Sequence, residues 1–368
     1  MKYLAENIFL VESPLQVLNA VEAKNYFKLS NCHLIIHVGH TGFKTEMLNR
    51  IAMEGNWDKI HYLIFRNDSM ELEPSFLSSN LFYKIRSCHY DYIKYCNKKL
   101  INELANLYGE TINIFLGNYL GGHQEYMRHF ANNVIHKNLY LLDDGTDALL
   151  IAKERKSLQT TISKPVGTRK CLVKIKSALH DAFIELNTSA AEKITFFSAY
   201  DLETTGPDCL IRNDYRYLRS RTPVLTLSND IYFLGQCLVE DNSVDAEFYL
   251  DALITVKKYF KHDDIVYIPH PRESQEMISR IRKLSGYNVK RLDAPIEFEV
   301  SIGGRAPKVL AGFFTSALQN SLLILGKQVS IKSFYLPPEC LKGYENLSTD
   351  VYDYFGSIKG QNIELVKL

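Results

Sequence analysis

Net charge is what this 368-residue chain most plainly lacks: 43 Lys and Arg against 42 Asp and Glu leave a formal +1. No global field draws it to nucleic acid, so any basic surface must be local. Its seven cysteines are scattered, with no CxxC pair and no regular spacing. That pattern excludes a disulfide framework and predicts reduced thiols. No apolar stretch approaches the roughly 20 residues that span a bilayer. The opening residues, Met1 to Asn7, lack the charged, apolar and cleavage regions of a signal peptide. The expected compartment is therefore cytoplasmic, with membrane contact limited to a peripheral association at the inner face of a bacterial inner membrane. Repeats and low-complexity segments are absent too. What remains, 46% hydrophobic and 23% charged residues, is the composition of a globular protein long enough for two cores.

Short apolar runs alternate with helical patterns along the first half. Ile8–Val11, Leu34–Val38, Lys59–Phe65, Ile112–Leu116 and Asn138–Leu142 read as strands. Helices are expected after Pro14, over Tyr92–Leu107 and over Glu125–Ala131. A second alternation starts near Pro223, with strands at Ile231–Leu234, Ile265–Ile268 and Lys308–Phe314 and helices over Val244–Phe260 and Ser274–Leu284. Strands separated by helices imply parallel sheets with crossover helices, whose ligands sit beyond the strands' carboxyl ends. The expected fold is α/β, with two Rossmann-like domains, 1–222 and 223–368, facing a central cleft. Residues 151–222 are expected to form a helical excursion of the first domain. The last helices are expected to pack back on that domain.

Five strand ends carry chemistry. Asp143-Asp144-Gly145-Thr146 follows a strand; neighbouring carboxylates repel, and burial raises a carboxyl pKa towards that of a working base. The segment echoes a phosphatase motif, but Leu142 stands where the nucleophilic aspartate is needed, which excludes that chemistry. Pro269-His270-Pro271-Arg272 holds a histidine at another strand end, able to donate a proton or hydrogen bond to a phosphate, with Arg272 adding a fork of donors. Thr315-Ser316 opens a helix, where hydroxyls and free amides form a phosphate site. Glu12-Ser13 and Gly235-Gln236 close two further strands.

Other features read as structural. Cys32, His33, His37 and His40 look like metal ligands, but an extended strand points His40 away from His33 and His37. Gly117-Asn118-Tyr119-Leu120-Gly121-Gly122 matches no nucleotide-loop spacing and is placed opposite the acidic loop. The basic run Lys153, Arg155, Lys156, Lys164, Arg169, Lys170, Lys174 and Lys176 reads as a solvated surface, with an anionic acceptor or membrane as the functional alternative.

In their order, Asp143-Asp144-Gly145-Thr146, His270-Pro271-Arg272, Pro295-Ile296-Glu297 and Phe313-Phe314-Thr315-Ser316 resemble the motifs of bacterial sialyltransferases of the Asp-Asp-Gly/His-Pro type. The resemblance is particularly to glycosyltransferase family 52 and the bacterial polysialyltransferase group, whose first strand and turn Leu10–Val17 also resembles. The resemblance implies a GT-B fold and a metal-independent, cofactor-free, inverting transfer of sialic acid. The implied donor is CMP-sialic acid, and the acceptor a hydroxyl of a bacterial surface glycan such as lipooligosaccharide, O-antigen or capsule. Asp143 or Asp144 would be the base and His270 the acid or phosphate donor, with Thr315 and Ser316 on the phosphate. Ser13, Gly145, Thr146, Gly235, Gln236, Pro271, Arg272 and Glu297 would bind substrate, Glu297 against the base or ribose. Some family-52 members take their base just after the first strand of the second domain, which makes Glu240 or Asp241 the alternative. Another CMP-activated ulosonic acid, such as Kdo or legionaminic acid, and a non-catalytic carbohydrate-binding role are the competing functions.

Overall fold

Every residue of β1 (Asn7–Val11) and β2 (Cys32–Val38) is buried, so neither strand has a wet face. Continuous apolar strands of this kind belong inside a parallel sheet covered on both sides. The computed structural model describes residues 3–38, 45–66, 79–119, 124–162, 184–222, 225–261, 264–358 and 362–368. Five further strands complete the first sheet: β3 (Lys59–Ile64), β4 (Asn113–Leu116), β5 (Asn138–Leu142), β6 (Thr195–Ser198) and β7 (Cys209–Arg212). All pairings are parallel, in the order β3-β2-β1-β4-β5-β6-β7. Register places Phe9 beside Phe115 and Phe115 beside Tyr140, and their rings stack at 4.2 and 4.4 Å. Such cross-strand pairs pin register as well as adding burial.

The helices of this domain are α1 (Pro14–Tyr26), α2 (Thr45–Ala52), α3 (Ser79–Tyr108), α4 (Gln124–Asn133), α5 (Asp147–Ile162) and the short α6 (Arg216–Arg221). Residues 151–222 are thus more than a helical excursion, because they also supply β6, β7 and α6. Of the basic run, Arg155 is buried in a two-pronged pair with Asp208 at 2.6 and 2.7 Å, Lys153 pairs with Asp350 and Lys156 with Glu203. The five cations from Lys164 to Lys176 lie outside the described residues.

The second sheet is built from β8 (Thr226–Leu234), β9 (Ile265–Ile268), β10 (Tyr287–Val289), β11 (Arg305–Gly312), β12 (Ser330–Tyr335) and β13 (Ile363–Lys367), all parallel, in the order β10-β9-β8-β11-β12-β13. Its helices are α7 (Ala246–Phe260), α8 (Gln275–Ile281), α9 (Ile296–Gly303), α10 (Ser316–Leu325) and α11 (Glu345–Ser357). The expected boundary at 222/223 abuts residues 223–224, outside the described set; α6 ends at Arg221 and β8 begins at Thr226. Helix α11 returns to the first domain, where the Tyr354 hydroxyl accepts from Arg212 at 3.1 Å and its ring meets Tyr200 edge-on at 5.1 Å. Among the described residues no helix is long and apolar enough to cross a membrane.

Candidate active site

Strand order reverses direction in each sheet, between β1 and β4 in the first and between β8 and β11 in the second. A crevice opens at such switch points, beyond the strands' carboxyl ends. In the first domain the chain leaves β1 through Glu12-Ser13, β4 through Gly117-Asn118 and β5 through Asp143-Asp144. In the second it leaves β8 through Gly235-Gln236, β9 through Pro269-His270 and β11 through Phe313-Phe314-Thr315. The two sets meet at Gly145 and Ser316. A methyl added to Gly145 would lie 3.1 Å from Ser316 Oγ, and the Gly145 φ of +67° already favours glycine.

The two aspartates occupy different surroundings. Asp143 is 2% exposed; its Oδ2 accepts the Ala199 N–H at 2.6 Å, and its carbonyl accepts from Asn19 Nδ2 at 2.9 Å. Burial pushes its carboxyl up to about 7, against the pull of the Ala199 amide and the Ser198 hydroxyl. Asp144 is partly exposed: Oδ1 accepts from Ser13 Oγ at 3.1 Å and Oδ2 from Asn118 Nδ2 at 2.8 Å. Its carboxyl rises to about 6, from burial first and the Asp147 charge second, with the Asn118 and Gln16 amides opposing. Asp147, in the first turn of α5, shares the Asn118 amide at 3.1 Å and senses the Arg272 charge from the other domain. Asn118 is therefore a neighbour of the acidic loop, not opposite it, because β4 and β5 are adjacent. Ser13 serves twice, capping α1 through the Gln16 N–H at 3.2 Å and reaching Asp144. Thr146 lies in the turn into α5, its carbonyl accepting the Leu149 N–H at 3.1 Å.

Across the cleft, His270 Nδ1 accepts the Arg272 N–H at 3.2 Å, which leaves the ring proton on Nε2. Burial and the neighbouring Arg272 charge lower its pKa to about 4, so the ring is a neutral donor. Arg272 forks onto Asp241 at 3.1 and 3.4 Å, and Asp241 also receives the Tyr344 hydroxyl at 3.1 Å. Glu240 Oε1 accepts the Ser274 N–H at 2.8 Å, at the start of α8. Both acids thus hold the His270-Pro271-Arg272 turn in place instead of standing free at the cleft. Thr315 caps α10, with the Ala317 N–H 3.4 Å from Oγ1, and Ser316 begins the helix facing Gly145.

Glu297, expected against the base or ribose, is 3% exposed, and its Oε1 accepts from Asn320 Nδ2 at 3.0 Å. It stands in the first turn of α9, where that helix packs against α10. The histidines of β2 are occupied within the fold, His33 by the Tyr108 hydroxyl at 3.1 Å and His37 by Glu12 at 3.2 Å; His40 lies outside the described residues. Among the described residues no cluster of three His, Cys, Asp or Glu is arranged to hold a metal. The sequence did not single out Asn19 or Asn213, whose long-range contacts support the acidic loop, nor Glu273, Tyr267 and Tyr249 beneath His270. Only Glu273 carried a local signal, its place directly after the His270-Pro271-Arg272 turn.

Two parallel Rossmann-like domains with their strand ends turned to one cleft make this a GT-B protein. The chain belongs to the alpha-2,8-polysialyltransferase family, whose model matches residues 7–333, and it is a glycosyltransferase. No curated protein matches it in sequence. Similar solved structures include a family 9 glycosyl transferase from Veillonella parvula (11% identity, TM-score 0.41, covering 100% of this chain and 88% of that one). A UDP-glucosyltransferase from Polygonum tinctorium is similar at 9% identity and TM-score 0.45 (99% and 85% covered). The UDP-GlcNAc 2-epimerase of Methanocaldococcus jannaschii is similar at 8% and 0.49 (98% and 88% covered).

Proposed function

We propose that this glycosyltransferase moves sialic acid from CMP-sialic acid to a sugar hydroxyl of a bacterial surface glycan, with inversion. Asp144 takes the acceptor proton as the hydroxyl oxygen attacks the anomeric carbon. The bond from that carbon to the CMP phosphate breaks, and the phosphate leaves with the electron pair. His270 offers Nε2–H to the departing phosphate, while Thr315, Ser316 and the free amides of α10 receive its negative charge. Arg272 adds positive charge at the same edge. Inversion needs base and leaving group on opposite faces of the sugar, and these residues come from opposite domains.

The observation that carries this reading is the approach of Gly145 and Ser316, which sets the acidic loop against the phosphate-binding helix end. Asp144 is favoured over Asp143 because it is partly exposed, whereas Asp143 spends one oxygen on a strand-end amide inside the core. It is favoured over Glu240 and Asp241 because those bind the histidine turn. General acid–base assistance is worth roughly 10²–10⁴-fold per group. The test is transfer from CMP-sialic acid by the wild type and by Asp144→Asn and His270→Ala, with a panel of other CMP-ulosonic acids alongside. Near-normal turnover in both variants would refute the assignment, and preference for a Kdo or legionaminic acid donor would redirect it.

A further inference from the structure

Beneath His270 runs a chain of hydrogen bonds that joins two strand-end loops. The Gln236 N–H, after β8, donates to the Tyr249 hydroxyl at 3.2 Å. Tyr249 and Tyr267 hydroxyls lie 2.9 Å apart, and Tyr267 is 2.5 Å from Glu273 Oε1. Glu273 Oε2 in turn accepts the His270 main-chain N–H. With Tyr267 donating to Glu273 and Tyr249 accepting from Gln236, the Tyr249 proton points to Tyr267. All donors of the chain are then aimed at one carboxyl group. Glu273 is 4% exposed. The loop before it has no spare room: a methyl on Gly235 would lie 2.4 Å from the Tyr267 hydroxyl and 2.5 Å from Glu273 Oε2.

We propose that Glu273 is a positioning residue for the transfer, clamping His270 by its main-chain N–H so that the ring keeps Nε2–H towards the departing phosphate. This rests on the role given to His270 above. The same clamp ties the Gly235-Gln236 loop to the histidine turn, so the two edges of the phosphate pocket move together. Burial pushes the Glu273 carboxyl up to about 8, with the Tyr267 and His270 hydrogen bonds opposing and Glu240 and Arg291 as the nearby charges. Oε2 remains the acceptor for His270 in either protonation state, since a proton on Oε1 faces Tyr267. Glutamine preserves that arrangement, whereas methionine keeps the length and removes the acceptor.

The test is a double-mutant cycle on CMP release from CMP-sialic acid. Glu273→Met lowers kcat by about 10–100-fold with KM nearly unchanged, as misplacement of a reacting group does, and Glu273→Gln stays within about threefold of wild type. Adding Glu273→Met to His270→Ala costs no more than about a further threefold, because both act through one ring. Losses that multiply overturn the clamp while leaving His270 in place; normal turnover in His270→Ala overturns both. A ¹⁵N-histidine spectrum gives a readout independent of donor identity: the His270 resonance shows one tautomer in wild type and a mixture in Glu273→Met. Where that variant fails to fold, Tyr267→Phe, which removes a single buried oxygen, takes its place in both measurements. An unchanged tautomer in the folded variant contradicts the proposal.

Discussion

Two adjacent aspartates differ here by what each spends its oxygens on. Asp143 faces inward and fastens β5 to the chain after β6, while Asp144 lies at the cleft among Ser13, Asn118 and Asp147. Asp144→Asn should therefore cost roughly 10²–10⁴-fold in turnover, and Asp143→Asn, which keeps an acceptor for the Ala199 N–H, at least about tenfold less; steady-state rates of both variants decide it. A coupled pair titrates jointly, so the pH–rate profile should show an acid limb near 6, activity rising as the base loses its proton. Stability runs the other way. Folded Asp143 and Asp144, at about 7 and 6, hold protons more tightly than unfolded aspartates near 3.9. The folded state binds more protons between about pH 4 and 7, so this pair's contribution falls as pH rises through that window. Urea titrations at pH 5 and 7.5 should show a smaller loss in Asp143→Asn than in wild type. The acidic pair and the histidine were legible in the sequence because adjacent like charges and a proline-flanked histidine are local patterns. Asn19 and Asn213 were not, because their partners lie far along the chain.

At the scale of elements, β1, β4 and β5 announce themselves through apolar runs bounded by polar and turn residues, and the stacked Phe9, Phe115 and Tyr140 pin their register. Strands β6 and β7 did not, since each has four residues and both follow a long basic stretch. The exposed start of β7 further blurs its pattern, as it is the sheet's outer strand. Phosphate binding is proposed for helix α10, whose N-terminus approaches the acidic turn where residue 145 lacks a side chain. Gly145→Ala should cost about 1–2 kcal/mol through its left-handed backbone. It should also raise KM for the donor by pressing on Ser316, measurable as a split between thermal stability and donor saturation. An unchanged KM would separate the turn from the phosphate pocket.

For the whole molecule, the cleft depends on how the two domains are joined. Glu22 of α1 is fully buried and accepts the Tyr217 and Leu218 amides of α6 at 2.8 and 2.9 Å, fixing the connector to the first domain. Arg50–Glu299 and Lys153–Asp350 cross between domains, at the surface. Glu22→Ala should destabilise by about 1–3 kcal/mol, since it strips two buried donors, whereas Arg50→Ala should cost less than about 1 kcal/mol; chemical denaturation of both variants checks the contrast. Two sheets were foreseeable from two blocks of alternating elements, but this seam was not, because a buried glutamate in α1 carries no mark of its distant partner. The central claim is that the seam brings a base from one domain to a phosphate site in the other. Its most direct measurement is sialic acid transfer from CMP-sialic acid by Asp144→Asn, with CMP affinity measured on the same protein. The geometry predicts transfer reduced by about 10²-fold or more with CMP binding intact. Transfer at the wild-type rate would contradict it.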